Sequence, residues 1–130
     1  MNIPDGLKYT KDHEWAKVEG ARVTVGITAF AVEQLGDITL VSLDAKEGDA
    51  LAAGKAFGTI ESVKTLSDLF APIAGKLVAI NKDLDQKPEL VNEDCYGKGW
   101  MVVIEVADPK ALAELMDEKA YAEHVKASAH

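Results

Sequence analysis

Two apolar, strand-like runs flank the segment Glu61-Ser62-Val63-Lys64-Thr65-Leu66-Ser67-Asp68, and this arrangement constrains the chain more than any other feature. Phe57-Gly58-Thr59-Ile60 reads as a strand on one side, and Leu69-Phe70-Ala71-Pro72-Ile73, closed by Ala74-Gly75, as a strand on the other. So short a connection between two strands demands an antiparallel hairpin with its tip at Val63-Lys64. Such a tip ordinarily carries Asn-Gly or Asp-Gly, because both central residues need positive φ. Neither is present, so local turn chemistry leaves the reversal unexplained and the tip reads as serving its lysine.

The remaining chain continues the β pattern. Leu7-Lys8-Tyr9-Thr10 and Trp15-Ala16-Lys17-Val18 are short strands around a polar stretch, and Glu19-Gly20 is a turn. Arg22 to Ile27 alternates, with Val23, Val25 and Ile27 on one face. Thr28 is a natural N-cap for a two-turn helix from Ala29 to Leu35 that Gly36 ends. Ile38 to Leu43 is apolar on both faces and reads as a central strand. The glycines of the loop from Gly48 to Gly54 mark turns, and Leu51 anchors it in the core. Lys76 to Ile80 is a further strand, and 81–96 is loop-rich with one helical turn near Pro88. Trp100 to Val106 places Trp100, Val102, Ile104 and Val106 on one face. Asp108-Pro109 then starts a helix through Met116, and Glu118 to Lys126 supplies another.

Many short strands followed by a helical tail predict a mainly β fold, a sandwich or flattened barrel, with one short internal helix. The 130 residues suffice for one domain, with a β core over about 7–107 and a tail over about 108–128.

Fourteen basic against twenty-two acidic residues give a net charge of −8, which argues against sequence-independent binding to nucleic acid or anionic membrane. The same charge serves solubility or the steering of partner proteins. Cys95 is the only cysteine, so no internal disulfide forms, in keeping with a reducing compartment. No apolar run approaches a membrane span, and Met1 to Gly6 lacks the features of a signal or transit peptide. A cytoplasmic location is therefore expected.

Glu61-Ser62-Val63-Lys64 with Ser67-Asp68 resembles the lipoyl-lysine segment of the glycine cleavage system H proteins. Further blocks carry the likeness: His13-Glu14-Trp15, Gly26-Ile27-Thr28, Gln34-Leu35-Gly36-Asp37, Pro88-Glu89-Leu90-Val91-Asn92 and Tyr96-Gly97-Lys98-Gly99-Trp100. The similarity runs from about Leu7 to Tyr121, with its blocks in the family's order. The pattern Gly48-Asp49-Ala50-Leu51-Ala52-Ala53-Gly54, ten residues before Lys64, resembles the wider biotinyl/lipoyl carrier superfamily.

The resemblance implies a barrel-sandwich hybrid with lipoate attached to Lys64 on an exposed hairpin. It implies a non-catalytic carrier, and a monomer is expected because such a carrier presents its hairpin to several enzymes in turn. In that family a pyridoxal-phosphate-dependent glycine decarboxylase loads the arm with the aminomethyl carbon of glycine as carbon dioxide leaves. An aminomethyltransferase passes the one-carbon unit to tetrahydrofolate and releases ammonia, and a flavin-containing dihydrolipoyl dehydrogenase reoxidises the dithiol. It makes Glu61, Ser62, Ser67 and Asp68 candidates for recognition by lipoylating enzymes, although simple solvation of an exposed turn also accounts for them. Glu14 and Gln34 become candidates for a surface on which the loaded arm docks; for Glu14 a local hydrogen bond or cap is the plainer reading.

Two other roles suit the same lysine. One is a relay donating lipoyl groups to other carrier domains. The other is biotin carriage, disfavoured because biotinyl domains usually flank the lysine with methionines where Val63 and Thr65 stand here. Trp15 and Trp100 read as core. His13, His124 and His130 show no metal-ligand spacing, and no metal site is expected. Cys95, where the family often has proline, reads as a small packing residue. No nucleophile–histidine–carboxylate set or phosphate-binding loop is evident.

Overall fold

The structure, a computed structural model, describes residues 3–128. His130 lies outside the described residues. In chain order the elements are β1 (Lys8–Tyr9), β2 (Glu14–Glu19), β3 (Arg22–Ile27), α1 (Ala29–Leu35), β4 (Ile38–Leu43), β5 (Ala50–Leu51), β6 (Ala56–Ser62), β7 (Leu66–Phe70) and β8 (Gly75–Ile80). Single helical turns α2 (Asp83–Gln86) and α3 (Leu90–Glu93), then β9 (Val102–Val106), a 3-10 helix (Pro109–Glu114) and α4 (Glu118–Ser128) complete the chain.

The strands form two sheets, one of six strands in the order β1-β2-β3-β9-β8-β5 and one of three in the order β4-β6-β7. Every named pairing is antiparallel. The fold is mainly β, as expected, and the described strands make two sheets and no closed barrel. One apolar cluster joins the inner faces of both sheets: Val23, Val25, Leu77, Val102 and Ile104 from the larger, and Val41, Phe57, Ile60 and Leu69 from the smaller. Burial of each large aliphatic side chain in it contributes about 1.5–3 kcal/mol. Leu51 is buried there too, anchoring its loop.

A second cluster is aromatic. Tyr9, Trp15 and Tyr121 form its centre, with Tyr96, Trp100, Met116 and Val125 packed around them. Tyr9 and Tyr121 stack at 4.6 Å with their planes 7° apart. Tyr9 also exchanges both backbone hydrogen bonds with Met116, which fastens the start of the tail to β1. Trp15 covers Gly26 across the β2–β3 ladder, where any Cβ would lie 2.7 Å from the indole.

Several sequence expectations need correction. Ile38 to Leu43 is an edge strand of the smaller sheet, not a central one, with Leu40 exposed beside the buried Val41. The strand expected at 69–73 is β7, Leu66–Phe70, because pairing with β6 begins at the hairpin tip and ends before Pro72. Trp100 does not share the inner face of β9; the strand starts at Val102, Met101 takes the core position, and Trp100 joins the aromatic cluster. The loop after β8 holds two helical turns instead of one. The helix after Asp108 is 3-10, although Asp108 caps it as expected, accepting from the N–H of Lys110.

Candidate functional site: a tied lysine hairpin beside a cleft

The β6–β7 hairpin pairs Glu61 with Leu66 and ends in the donation of the Ser62 N–H to the Thr65 carbonyl at 2.8 Å, which leaves Val63 and Lys64 as the tip. Positive φ among non-glycine residues occurs only at His13 among the described residues, so neither tip residue takes the conformation of the usual hairpin turns. The Ser62 side chain substitutes for that chemistry. Its Oγ accepts from the N–H groups of Lys64 at 3.3 Å and Thr65 at 3.2 Å, a hydroxyl-capped turn. Ser62 is only 7% exposed, so its part in this site is to shape the turn from beneath, while Glu61 and Lys64 face solvent.

The tip is also tied sideways. The Val63 N–H donates to the Asp37 carbonyl at 3.0 Å, and the Thr39 hydroxyl donates to the Glu61 carbonyl at 3.2 Å. The 36–38 segment is held in turn by Asn92 of α3, whose Nδ2 donates to the Gly36 carbonyl at 3.0 Å and whose Oδ1 accepts from the Ile38 N–H at 2.9 Å. Gly36 ends α1 at φ +80°, and the aliphatic stem of Lys64 passes over it, its Cε 3.0 Å from where a Cβ would stand. Asn92 and Gly36 were legible as family residues, but no local pattern reveals that they brace the hairpin.

Under the end of α1 lies a cleft of about 350 Å³. Gln34 and Leu35 line it from α1, Glu14 from the start of β2 and His13 from the bend before it, and Ser67 and Asp68 from β7. The structure therefore brings Glu14, Gln34, Ser67 and Asp68 to one cavity, whereas Glu61 stands on the opposite face of the hairpin sheet from Ile60. Glu14 is 3% exposed, and the Thr10 hydroxyl donates to its Oε1 at 2.6 Å. Burial pushes its carboxyl up to about 7, against the Thr10 hydrogen bond that lowers it.

His13 contributes what sequence reasoning passed over. At φ +69° it is a non-glycine residue in the left-handed region, and its ring lies 4.5 Å from Phe30 and 5.3 Å from His124 between centroids. Its Nδ1 is 2.8 Å from the Tyr121 hydroxyl, which is also 2.7 Å from the Oγ1 of Thr28, the N-cap of α1. Burial first, then the neighbouring His124, lowers the His13 pKa below its ordinary value. The Tyr96 hydroxyl accepts from the Ala29 N–H at 3.0 Å, so α1 is capped from three parts of the chain. Among the described residues no group of three or more His, Cys, Asp or Glu could hold a metal. Cys95 is half-buried, its thiol pushed up to about 11 by burial, and its carbonyl accepts from the Trp15 indole at 2.9 Å.

Two packed sheets that hold one exposed amine on a tied hairpin, beside a cleft, define a small β domain of the arm-presenting type. Residues 7–128 match the family described as Glycine cleavage H-protein, and the chain belongs to that family. It is 50% identical over 121 residues to a glycine cleavage system H protein of Anaeromyxobacter sp. (strain K), covering 93% of this chain and 94% of the relative. A glycine cleavage system H protein of Chlorobium phaeobacteroides is 55% identical over 123 residues, covering 93% and 95%. Among solved structures, the crystal structure of a glycine cleavage system H protein from Mycobacterium marinum superposes with a TM-score of 0.84 at 39% identity, covering 93% of this chain and 97% of that one.

Proposed function

We propose that this chain is the lipoyl-bearing carrier of a glycine cleavage system, with lipoate joined to Lys64 Nζ as an amide. The observation that carries this reading is the exposed lysine on a hairpin tip tied to α1, with a cleft of about 350 Å³ under the same helix. The residues present fit such a group. The amine is on an exposed side chain, its mount is tied to the 37–39 segment, and the cleft is lined by apolar Ile27, Phe30 and Leu35 together with polar Glu14, Gln34 and Asp68. When bound, the lipoyl group supplies a ring disulfide that accepts the aminomethyl unit of glycine and is restored by oxidation of the dithiol.

The chain's own residues position and shield. Ser62, Asp37 and Asn92 hold the base of the arm, so the distance it sweeps is set by the arm and not by the loop. Phe30, Leu35 and Leu69 offer the end of a docked arm an apolar wall that excludes water. Glu14, neutral below about 7 and charged above it, offers a hydrogen-bond partner at the cleft wall. Gln34 and Asp68 add polar partners on the opposing walls. Glu61, Ser67 and Asp68 are exposed near the tip, where enzymes that attach lipoate meet the hairpin.

The chain contributes no catalytic step of its own and works as a monomer that meets the decarboxylase, the aminomethyltransferase and the dihydrolipoyl dehydrogenase in turn. No helix among the described residues is long and apolar enough to cross a membrane, and the cytoplasm is the proposed site of action. The family similarity favours this role over that of a lipoyl relay. Intact mass and peptide mapping of protein from a lipoate-supplied native host test the reading. A lipoyl increment on Lys64, absent from Lys64→Arg, supports it; no increment, in a host that lipoylates other proteins, overturns it.

A further inference from the structure

Large hydrophobic side chains stand exposed at four described positions: Val18 at 37%, Leu40 at 47%, Leu66 at 64% and Val63 at 69%. All but Val18 lie on the hairpin that carries Lys64 or on the strand paired with it. The register explains the grouping. Leu40 of β4 pairs with Glu61 of β6, and Glu61 pairs with Leu66 of β7. Residues directly opposite on antiparallel strands share a face, so Leu40, Glu61 and Leu66 form one row across the outer face of the smaller sheet. Val41 and Ile60, next in sequence to Leu40 and Glu61, are buried on the inner face, so nothing in the core accounts for the outer leucines. Val63 continues the patch at the tip, next to Lys64 itself.

We propose that this outer face, the row Leu40, Glu61 and Leu66 with Val63 at its end, is the docking surface for the enzyme that acylates Lys64. The inference rests on Lys64 being the lipoylated amine. The partner chemistry follows from the row: apolar side chains to cover the two leucines and a basic group between them to meet the Glu61 carboxylate. The chain's net charge of −8 favours the same partner sign.

Reach selects this occupant over the enzymes that act later. In acylation, Nζ forms a bond to the carbonyl carbon of an activated lipoate, a mixed anhydride with a nucleotide phosphate. The carbonyl C–O bond to the phosphate breaks, the nucleotide leaves with the electron pair, and a proton passes from Nζ to solvent. The bare lysine extends only its own length, so the acylating enzyme must touch the hairpin flanks. Once the arm is attached, its reactive end lies far beyond the row, and later enzymes can engage it without covering Leu40 and Leu66.

The experiment uses the unmodified full chain with a purified lipoate–protein ligase, lipoate and ATP, following acylation of Lys64 by mass. The double variant Leu40→Ser/Leu66→Ser removes outward side chains only. Its KM as ligase substrate should rise roughly tenfold with kcat retained. Val18→Ser, on the other sheet, should leave KM unchanged. Acetylation of Lys64 by a small N-hydroxysuccinimide ester should proceed at the unaltered rate in all three proteins. After forced lipoylation, reduction of the double variant by dihydrolipoyl dehydrogenase should also be unchanged.

An unchanged KM overturns the proposal, as does a KM rise matched by Val18→Ser or by slower reaction with the small ester. An equal defect with the dehydrogenase overturns the assignment to the acylating enzyme. If the unaltered chain is not acylated at Lys64, the proposed function fails as well. Acylation of the unaltered chain together with normal kinetics in the double variant sinks only the docking surface.

Discussion

The N–H of Val63 donates to the carbonyl of Asp37 at 3.0 Å, which ties the lysine hairpin to the segment that leaves α1. The lysine is thereby mounted on two elements, and its position depends on residues far from it in sequence. Asn92 is the remote end of this chain of contacts, gripping the same segment through both atoms of its side-chain amide.

Asn92→Ala should therefore lower stability by about 1–2 kcal/mol, since it leaves a carbonyl and an N–H to find other partners. Amide exchange at Val63 should accelerate more than exchange in β3 or β9, which Asn92 does not brace. Urea denaturation together with residue-resolved exchange checks both. Uniform acceleration would show that Asn92 supports the fold in general and not the hairpin.

Ser62→Ala removes the acceptor of two tip N–H groups and should cost about 1 kcal/mol. The Lys64 backbone should become more mobile on the nanosecond scale, measured by nitrogen-15 relaxation of the tip amides. Unchanged order there would mean that the Asp37 tie alone suffices.

Glu14 and His13 should impose opposite pH dependences on stability. For Glu14 the folded pKa, about 7, lies above its ordinary value of 4.5, so the folded state holds the proton more tightly. Its contribution is complete below 4.5 and is lost as pH rises through 7. For His13 the folded pKa is depressed, so its contribution is present above its ordinary 6.5 and is lost as pH falls below that value. Thermal melts between pH 5 and 8 test this. Glu14→Gln should remove the alkaline loss, gaining about 3 kcal/mol at pH 8. His13→Asn, which keeps a residue tolerant of positive φ, should remove the acidic loss. Identical pH profiles for both variants and the unaltered chain would contradict the assignment.

Glu14→Gln also bears on the cleft. If the loaded arm docks there, loaded Glu14→Gln protein should release ammonia faster than the unaltered carrier. Equal rates would argue that Glu14 serves only the local hydrogen bond with Thr10.

Tyr121→Phe deletes a buried hydroxyl that stands against both Thr28 and His13. It should cost about 1–3 kcal/mol, because partners are left unsatisfied while the ring stacking on Tyr9 is kept. Calorimetric melting checks the loss, and a near-neutral effect would show that the two partners find substitutes.

Elements whose signals are local were readable in advance. The alternation of Val23, Val25 and Ile27 and the Thr28 cap with Gly36 beyond it placed β3 and α1 with the bounds observed. The lysine hairpin was legible for the same reason, together with the blocks that mark the family. Errors arose where context overrides local pattern. Ile38 to Leu43 looks central because it is apolar on both faces, yet Leu40 faces solvent at a sheet edge. Trp100 continues the alternation of β9 in sequence, but Met101 is the residue the core accepts.

Of the candidate site, the sequence by itself placed Lys64 on a hairpin, because strand period and turn length act between neighbours; its reading as the attachment point came from the blocks that resemble the family. It also carried Glu14, Gln34, Ser67 and Asp68 as separate candidates on three elements. Only the tertiary structure decided that these four line one cleft, that Ser62 makes the turn, and that Asp37 and Asn92 anchor it. Those relations are contacts between residues up to tens of positions apart. Such contacts depend on how two sheets and one helix pack, and no short sequence window records the packing.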